Sequence, residues 1–286
     1  EGPLAPFIFE LAEVAMKAVV SLVSVIFLMA SVAIGADHSQ WIKGPFKSGE
    51  DVTKTCLQCH EKEAEDFMKT SHWRWKGKPN TIKGMENSKE EYGKFNLINN
   101  FCISIEGGDK CANSEFCTKC HPGYGWKDNT FDFNDKTKID CLICHAREGN
   151  YRKGLAGEPD RSLIEKGIMS LTKAAQSVGI PTRDNCGVCH FFGGGGDAVK
   201  HGDLDSTLSK PTRDHDVHMG GIADMNCTAC HVTKNHRIAG VSTFLATNDG
   251  RVLCEDCHRE PHKDSPSGKI ISNHTKTVAC QTCHIP

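Results

Sequence analysis

The chain has 286 residues, of which 38% are hydrophobic and only 7% aromatic, a thin supply for a core of that size. Its formal net charge of −2 provides no basic face for nucleic acid. Sixteen cysteines and fifteen histidines are the excess that needs a chemical reason.

The chain opens with a segment that reads as a leader. Met16-Lys17 precedes an apolar run from Ala18 to Ile34, and small Gly35 and Ala36 follow before polar Asp37. A charged start, an apolar middle and a small-residue end mark an export signal, so residues 1–36 are expected to be removed and 37–286 to form the mature domain. A retained anchor is the alternative, since the run is long for a signal and short for a span. Residues 1–15 carry Glu1, Glu10 and Glu13 and no base, which suits upstream sequence with Met16 as the true start. Without residues 1–36 the chain is formally neutral.

Seven Cys-x-x-Cys-His motifs follow. They are Cys56/Cys59/His60, Cys117/Cys120/His121, Cys141/Cys144/His145, Cys186/Cys189/His190, Cys227/Cys230/His231, Cys254/Cys257/His258 and Cys280/Cys283/His284. Chance placement would give roughly 0.05. In a c-type haem site the two cysteines form thioethers with the vinyl groups, and the adjacent histidine is held under the iron. Zinc needs two cysteine pairs per metal and no histidine after each, and a disulfide framework has no use for that histidine either. Covalent porphyrins also explain the thin apolar content. The expected fold is mainly α with much irregular structure, its core built of stacked haems, with few strands, short helices and long links. Haem c is attached outside the cytoplasmic membrane, so a periplasmic location follows.

Between the motifs, the sequence predicts a short helix, EKEAEDFMK, after His60. A longer one is predicted between Arg161 and Gly179. There Ser162-x-x-Glu165 reads as a capping box, Leu163, Ile164, Ile168, Leu171, Ala175 and Val178 recur at helical spacing, and Gly179 and Pro181 end it. Gly193–Gly196 reads as a loop, or as backbone able to approach a porphyrin face. Cys102 and Cys111 are the two cysteines outside motifs, readable as a small disulfide loop or as a sulfur-handling pair in which Cys102 faces an active haem. His284 stands two residues from the end, which suggests that more chain and more haem follow.

A second histidine on the far side of each iron makes a haem that only passes electrons. Eight histidines lie outside the motifs. His72, His201, His215, His218, His236, His262 and His274 are the candidate distal ligands, and His38, beside the cleavage zone, is set aside.

Several segments together resemble the octahaem tetrathionate reductase family of multihaem cytochromes c: TSHWRWKG (Thr70–Gly77), LINNFCISI (Leu97–Ile105), CTKCHPGYGWKD (Cys117–Asp128), DCLICH (Asp140–His145), CGVCHFFGGGGDAVKHGDLD (Cys186–Asp205) and ACQTCHIP (Ala279–Pro286). The likeness runs through nearly all of residues 50–286. It implies eight haems in the complete protein, seven of which have motifs here. It also implies that the second haem in sequence, here at Cys117/Cys120/His121, has a lysine axial ligand and is catalytic. Lys127 and Lys153 are the candidates. A lysine amine binds iron only when neutral, so burial and the metal charge must lower its ordinary pKa of about 10.4.

The implied function is periplasmic two-electron reduction of tetrathionate to thiosulfate, with nitrite or hydroxylamine as other substrates. Periplasmic or membrane electron donors and a small anionic substrate are the expected partners, and homo-oligomers are left open. Arg74, Lys76, Lys127, Arg152 and Lys153 are the cations available for the anion. The rival is an electron-transfer module or filament subunit with every haem bis-histidine. Hydroxylamine oxidation lacks support, because no tyrosine is clearly placed to cross-link a haem.

Overall fold

Polar caps recur at short intervals and cut the chain into short helices. Ser48 Oγ accepts the Asp51 amide, Thr70 Oγ1 that of Trp73, Asp140 Oδ1 that of Ile143 and Ser170 Oγ that of Lys173. The computed structural model describes residues 37–79, 84–95, 114–128, 130–193, 195–199, 203–239 and 252–284. The expected leader, Cys102, Cys111 and His201 lie outside them.

Among the described residues the α-helices are α1 (Gly49–Cys56), α2 (Glu61–Phe67), α3 (Ser71–Arg74), α4 (Ser114–Cys117), α5 (Cys141–His145), α6 (Arg161–Glu165), α7 (Leu171–Gln176), α8 (Arg183–His190), α9 (Cys254–Cys257), α10 (Gly268–His274) and α11 (Gln281–His284). The strands are β1 (Thr233–Lys234) and β2 (Arg237–Ile238), an antiparallel pair that matches Thr233 with Ile238 and Lys234 with Arg237. Short 3₁₀ turns and irregular links join them, as the motif spacing predicts. No helix is long and apolar enough to cross a membrane among the described residues.

The helix predicted after His60 forms as α2. The long one predicted over 161–179 does not. It breaks into α6 and α7 across Lys166–Ser170, where Gly167 takes φ +69°. Asp160 caps α6, accepting from the amides of Ser162 and Leu163, and Ser170 caps α7. The apolar spacing is real but serves two helices: Met169 and Leu171 enter the core, whereas Ile168 stays half exposed. Local hydrogen bonding to Asp160 and Ser170 outcompetes the continuous turn.

Apolar packing is concentrated in the first part of the unit His38–Pro286. One cluster joins Ile42 and Val52 to Leu142 and Ile143 of α5 and to Leu171, Ala174 and Ala175 of α7. A second joins Ala64, Trp73 and Ile139, with Phe67, Phe131 and Phe133 against it. Beyond α7, the buried apolar side chains among the described residues are Phe191 and Ala239, although four of the seven motifs lie there. That stretch has little of its own to fold around.

Candidate haem sites

A Cys-x-x-Cys-His sequence in helical geometry puts both sulfurs on one face, one turn apart, with the histidine next in line. α5 contains a whole motif, and α8 ends in one. A capping box between Thr182 and Asn185 fixes where α8 starts, and Asn185 also donates to the carbonyls of Ile143 and Ala146 at 3.3 and 3.0 Å. The third and fourth motifs are thereby tied together.

The attachment sites form a connected set. Thiols of different motifs lie near enough to perturb one another at Cys56 and Cys141, Cys120 and Cys189, Cys186 and Cys227, and Cys254 and Cys280, and the Cys189 thiol donates to the Cys120 carbonyl at 3.5 Å. Motif one thus touches motif three, motif two touches four, four touches five, and six touches seven. The Cys230 carbonyl accepts the Val252 amide at 3.1 Å, which brings motif five to motif six.

Cys59 and Cys283, the second cysteines of the first and last motifs, are exposed. Each is placed by its backbone, the Cys59 amide donating to Cys56 O at 3.1 Å and the Cys283 amide to Cys280 O at 3.2 Å. Their assignment to haem therefore rests on motif spacing, not on surrounding side chains. The thiols of Cys230 and Cys257 are exposed in the same way.

The histidines test whether these residues suit haem. A haem-ligating histidine uses Nε2 for iron and anchors Nδ1–H on a carbonyl. His145 Nδ1 lies 2.9 Å from Gly179 O, and His231 Nδ1 lies 3.2 Å from Ala239 O. Two imidazoles on one iron, with metal–nitrogen bonds of about 2 Å, have ring centres about 6 Å apart. Five motif histidines face another histidine at that separation: His38–His60 at 6.2 Å, His72–His190 at 6.2 Å, His145–His236 at 6.3 Å, His218–His258 at 5.9 Å and His262–His284 at 6.1 Å. The residues fit haem, and four of the expected distal histidines stand where a distal ligand would. The fifth is His38, which sequence reasoning set aside. Burial holds His72 down to about 4, and burial also lowers His190 and His236, so these rings stay in the neutral form that metals require. His215 and His274 are exposed and His201 lies outside the described residues, so none of the three is paired by these contacts.

His121 differs. Its ring is fully buried and packs on Trp126 at 4.8 Å, Trp73 at 5.0 Å, Trp75 and Phe131 at 5.4 Å, and Phe133 at 5.8 Å. No histidine ring packs on it among the described residues. Nε2 lies 2.7 Å from Trp73 O, while buried Nδ1 has no hydrogen-bond partner, and burial brings the ring down to about 3. This reverses the pattern at His145 and His231, whose Nδ1 atoms meet carbonyls: here Nε2 is the engaged nitrogen and Nδ1 the unpartnered one.

The GYGW segment builds this pocket. A Cβ on Gly123 would come within 2.8 Å of both the His121 and Trp73 rings, so only glycine fits. Tyr124 is buried and donates to Asp140 Oδ1 at 3.0 Å. Gly125 takes φ +79°, which glycine adopts at no cost, and Trp126 closes on the imidazole.

The two candidate lysines part company. Lys127 is exposed. Lys153 is 2% exposed and pairs with Asp140 Oδ2 at 3.0 Å. It also donates to the carbonyls of His121 and, at 3.3 Å, Gly123. Of the other expected cations, Arg74 and Lys76 sit on Glu91 at 2.7 and 3.6 Å, and Arg152 donates to Tyr151 O at 2.8 Å. They do not converge on His121. The buried acid Asp140 went unnoticed in the sequence; its place directly before Cys141, as a helix cap, was the available signal.

No protein-family model matches the chain. An uncharacterized protein from Archaeoglobus fulgidus is 25% identical over 260 residues, covering 75% of this chain and 84% of its own. The crystal structure of the octahaem cytochrome c from Shewanella oneidensis is 46% identical, with a TM-score of 0.70 over 88% of this chain. The chain spans about half, 53%, of the length of that structure. With seven attachment motifs, imidazoles paired at the separation one iron imposes, and this likeness in sequence and fold, the chain is a multihaem c-type cytochrome.

Proposed function

We propose that the chain is the multihaem part of a periplasmic reductase whose reacting iron is held at Cys117, Cys120 and His121. Periplasmic or membrane electron donors would feed it through the bis-histidine sites. The reaction is two-electron reduction of tetrathionate, breaking its central S–S bond to release two thiosulfate ions, with nitrite and hydroxylamine as further substrates. When bound, haem iron supplies the one-electron steps and, where the protein leaves an axial position open or weakly held, a place for the anion. The protein's own part is to hold His121 rigidly, to keep water off its ring with five aromatic side chains, and, among the described residues, to set no second histidine against that ring.

The observation that carries this reading is the contrast between His121, caged by aromatics, and the five motif histidines that face a histidine ring. A bis-histidine iron is closed to substrate. An iron with one histidine is open, or is held by a weaker ligand such as the lysine that the resemblance implies. The full-length protein with its haems should show one iron whose spectrum responds to small anions, and should turn over tetrathionate. Seven unresponsive low-spin irons and no turnover would make the chain an electron-transfer module instead.

A further inference from the structure

Arg183 opens α8, the helix that ends in the fourth motif, but its side chain reaches away from that motif. The guanidinium lies across a loop 36 to 42 residues further along the chain. The Met225 carbonyl receives two of its donors, Nε at 3.2 Å and Nη2 at 2.6 Å. Nη2 also donates to the Met219 carbonyl at 2.9 Å and pairs with Asp224 Oδ1 at 2.7 Å. Only 15% of the Arg183 side chain meets solvent, against 81% for Asp224. An exposed carboxylate contributes little to such a contact. The half-buried grip on two carbonyls is what calls for a planar guanidinium.

The loop held in this way is the one that brings His218 to 5.9 Å from the His258 ring of the sixth motif. Asp216 Oδ1 accepts the amides of His218 at 2.8 Å and Met219 at 2.7 Å, and the His218 carbonyl accepts the Met225 amide at 3.1 Å. Arg183 therefore takes the carbonyl of the residue that follows His218 and that of the residue bonded to it. Val217 and Ile222 are exposed, so burial among side chains does not fix the loop. Its backbone is closely folded all the same. A Cβ on Gly220 would fall 2.2 Å from the Thr212 carbonyl, and one on Gly221 would fall 2.2 Å from the Val217 carbonyl. Where the loop ends, Asn226 donates to the Pro181 carbonyl at 2.7 Å and returns the chain to the start of α8.

We infer that Arg183 is a positioning residue for His218, holding the distal imidazole of the sixth-motif haem from the helix of the fourth motif. The inference rests on His218 and His258 sharing one iron, and is independent of the substrate and of which iron reacts. The partners that orient a ligating histidine tune the metal it binds, so a loop released from its grip changes that haem's potential and magnetic signature. The anchor is itself firm. The Thr182–Asn185 capping box sets the start of α8, and Asn185 ties it to the carbonyls of Ile143 and Ala146. Through Arg183, the far ligand of the sixth haem takes its place from the frame that holds the third and fourth motifs.

The test uses the full-length protein carrying its haems, with potentiometry followed by optical and paramagnetic-resonance spectroscopy. Turnover plays no part in the readout. His218→Ala first marks the haem: one low-spin signal should be lost and a high-spin signal gained. Arg183→Met removes the grip and the charge, whereas Arg183→Lys keeps the charge and replaces the planar fork with a point charge. Both Arg183 variants should shift the potential and the low-spin signature of the marked haem and leave the other haems unmoved. Adding Arg183→Met to His218→Ala should shift the marked haem no further, because the arginine acts through the histidine. If Arg183→Lys matches the parent protein while Arg183→Met lowers the potentials of several haems, the residue acts by its charge and the proposal falls. A lower melting temperature with the marked haem unmoved would make Arg183 a structural brace and overturn the proposal as well. If Arg183→Met does not load haem, Arg183→Lys decides alone: a shift at the marked haem upholds the assignment and an unmoved signal sinks it. Should His218→Ala leave every low-spin signal in place, His218 is no ligand and the proposal fails with it.

Discussion

His38 shows how much a single residue's role depends on the fold. Two residues from the expected cleavage zone, it has no sequence feature that distinguishes it from a surface histidine. A 3₁₀ turn, with the Trp41 and Ile42 amides on its carbonyl, and the burial of Ile42 bring its ring to 6.2 Å from His60. His38→Ala should therefore turn one low-spin iron high-spin, measured by paramagnetic resonance, and leave the remaining signals as they were. Seven unchanged spectra would show that the iron at His60 takes its second ligand elsewhere. The attachment cysteines and their histidines were legible from the sequence because thioether chemistry demands a fixed spacing. What surrounds each thiol was not: Cys56 meets Cys141, while Cys59 in the same motif is exposed. Of the seven candidate distal histidines, His72, His218, His236 and His262 face a motif histidine, but the pairs and the part of His38 were not legible, since pairing joins positions such as His72 and His190 that only the fold brings together. That Lys153 pairs with Asp140 was not legible. A buried ion pair between residues thirteen apart in sequence leaves no local mark.

At the scale of elements, the region 161–176 decides between periodicity and capping. Apolar spacing alone predicts one helix, yet Asp160 and Ser170 each start a short one and Gly167 turns the chain between them. The two arrangements make opposite forecasts for Gly167→Ala. Inside a continuous helix the change would stabilise by about 1 kcal/mol. At φ +69°, with nothing within 4 Å of the new methyl, it should instead cost about 1 kcal/mol through backbone strain alone. Chemical denaturation of the holoprotein gives the sign, and a stabilising result would restore the single helix. The short helix after His60 was legible because its charged and apolar residues suit helix over one compact stretch. The break at Gly167 was not, because glycine inside an apolar repeat reads equally well as a tolerated interior residue.

At the scale of the molecule, side-chain packing and haem attachment divide the chain unevenly. Both apolar clusters draw on residues up to α8, whereas the four motifs from Cys186 onward have only Phe191 and Ala239 buried beside them among the described residues. Porphyrin must take the place of side chains there, so the mainly helical, irregular fold was legible from low aromatic content and motif count together. A haem-free chain should keep protection in its first part and lose it beyond His190. Limited proteolysis with mass mapping should find the earliest cuts in the second half. Even cutting across the whole chain would mean that the first part needs haem just as much.

The contacts between attachment sites also constrain the order of events in biogenesis. Cys56 touches Cys141, Cys120 touches Cys189, Cys186 touches Cys227 and Cys254 touches Cys280. Each pair belongs to two different motifs. Once the vinyl groups are joined, these sulfurs are inert thioethers. Before that they are thiols in contact, and in an oxidising compartment thiols in contact become disulfides. A polypeptide that closed up bare would staple its own docking points to one another and exclude the cofactor it was built around. The shape that makes the finished protein a continuous relay is thus a trap for the unfinished one, and the chain has to be loaded while it is still open.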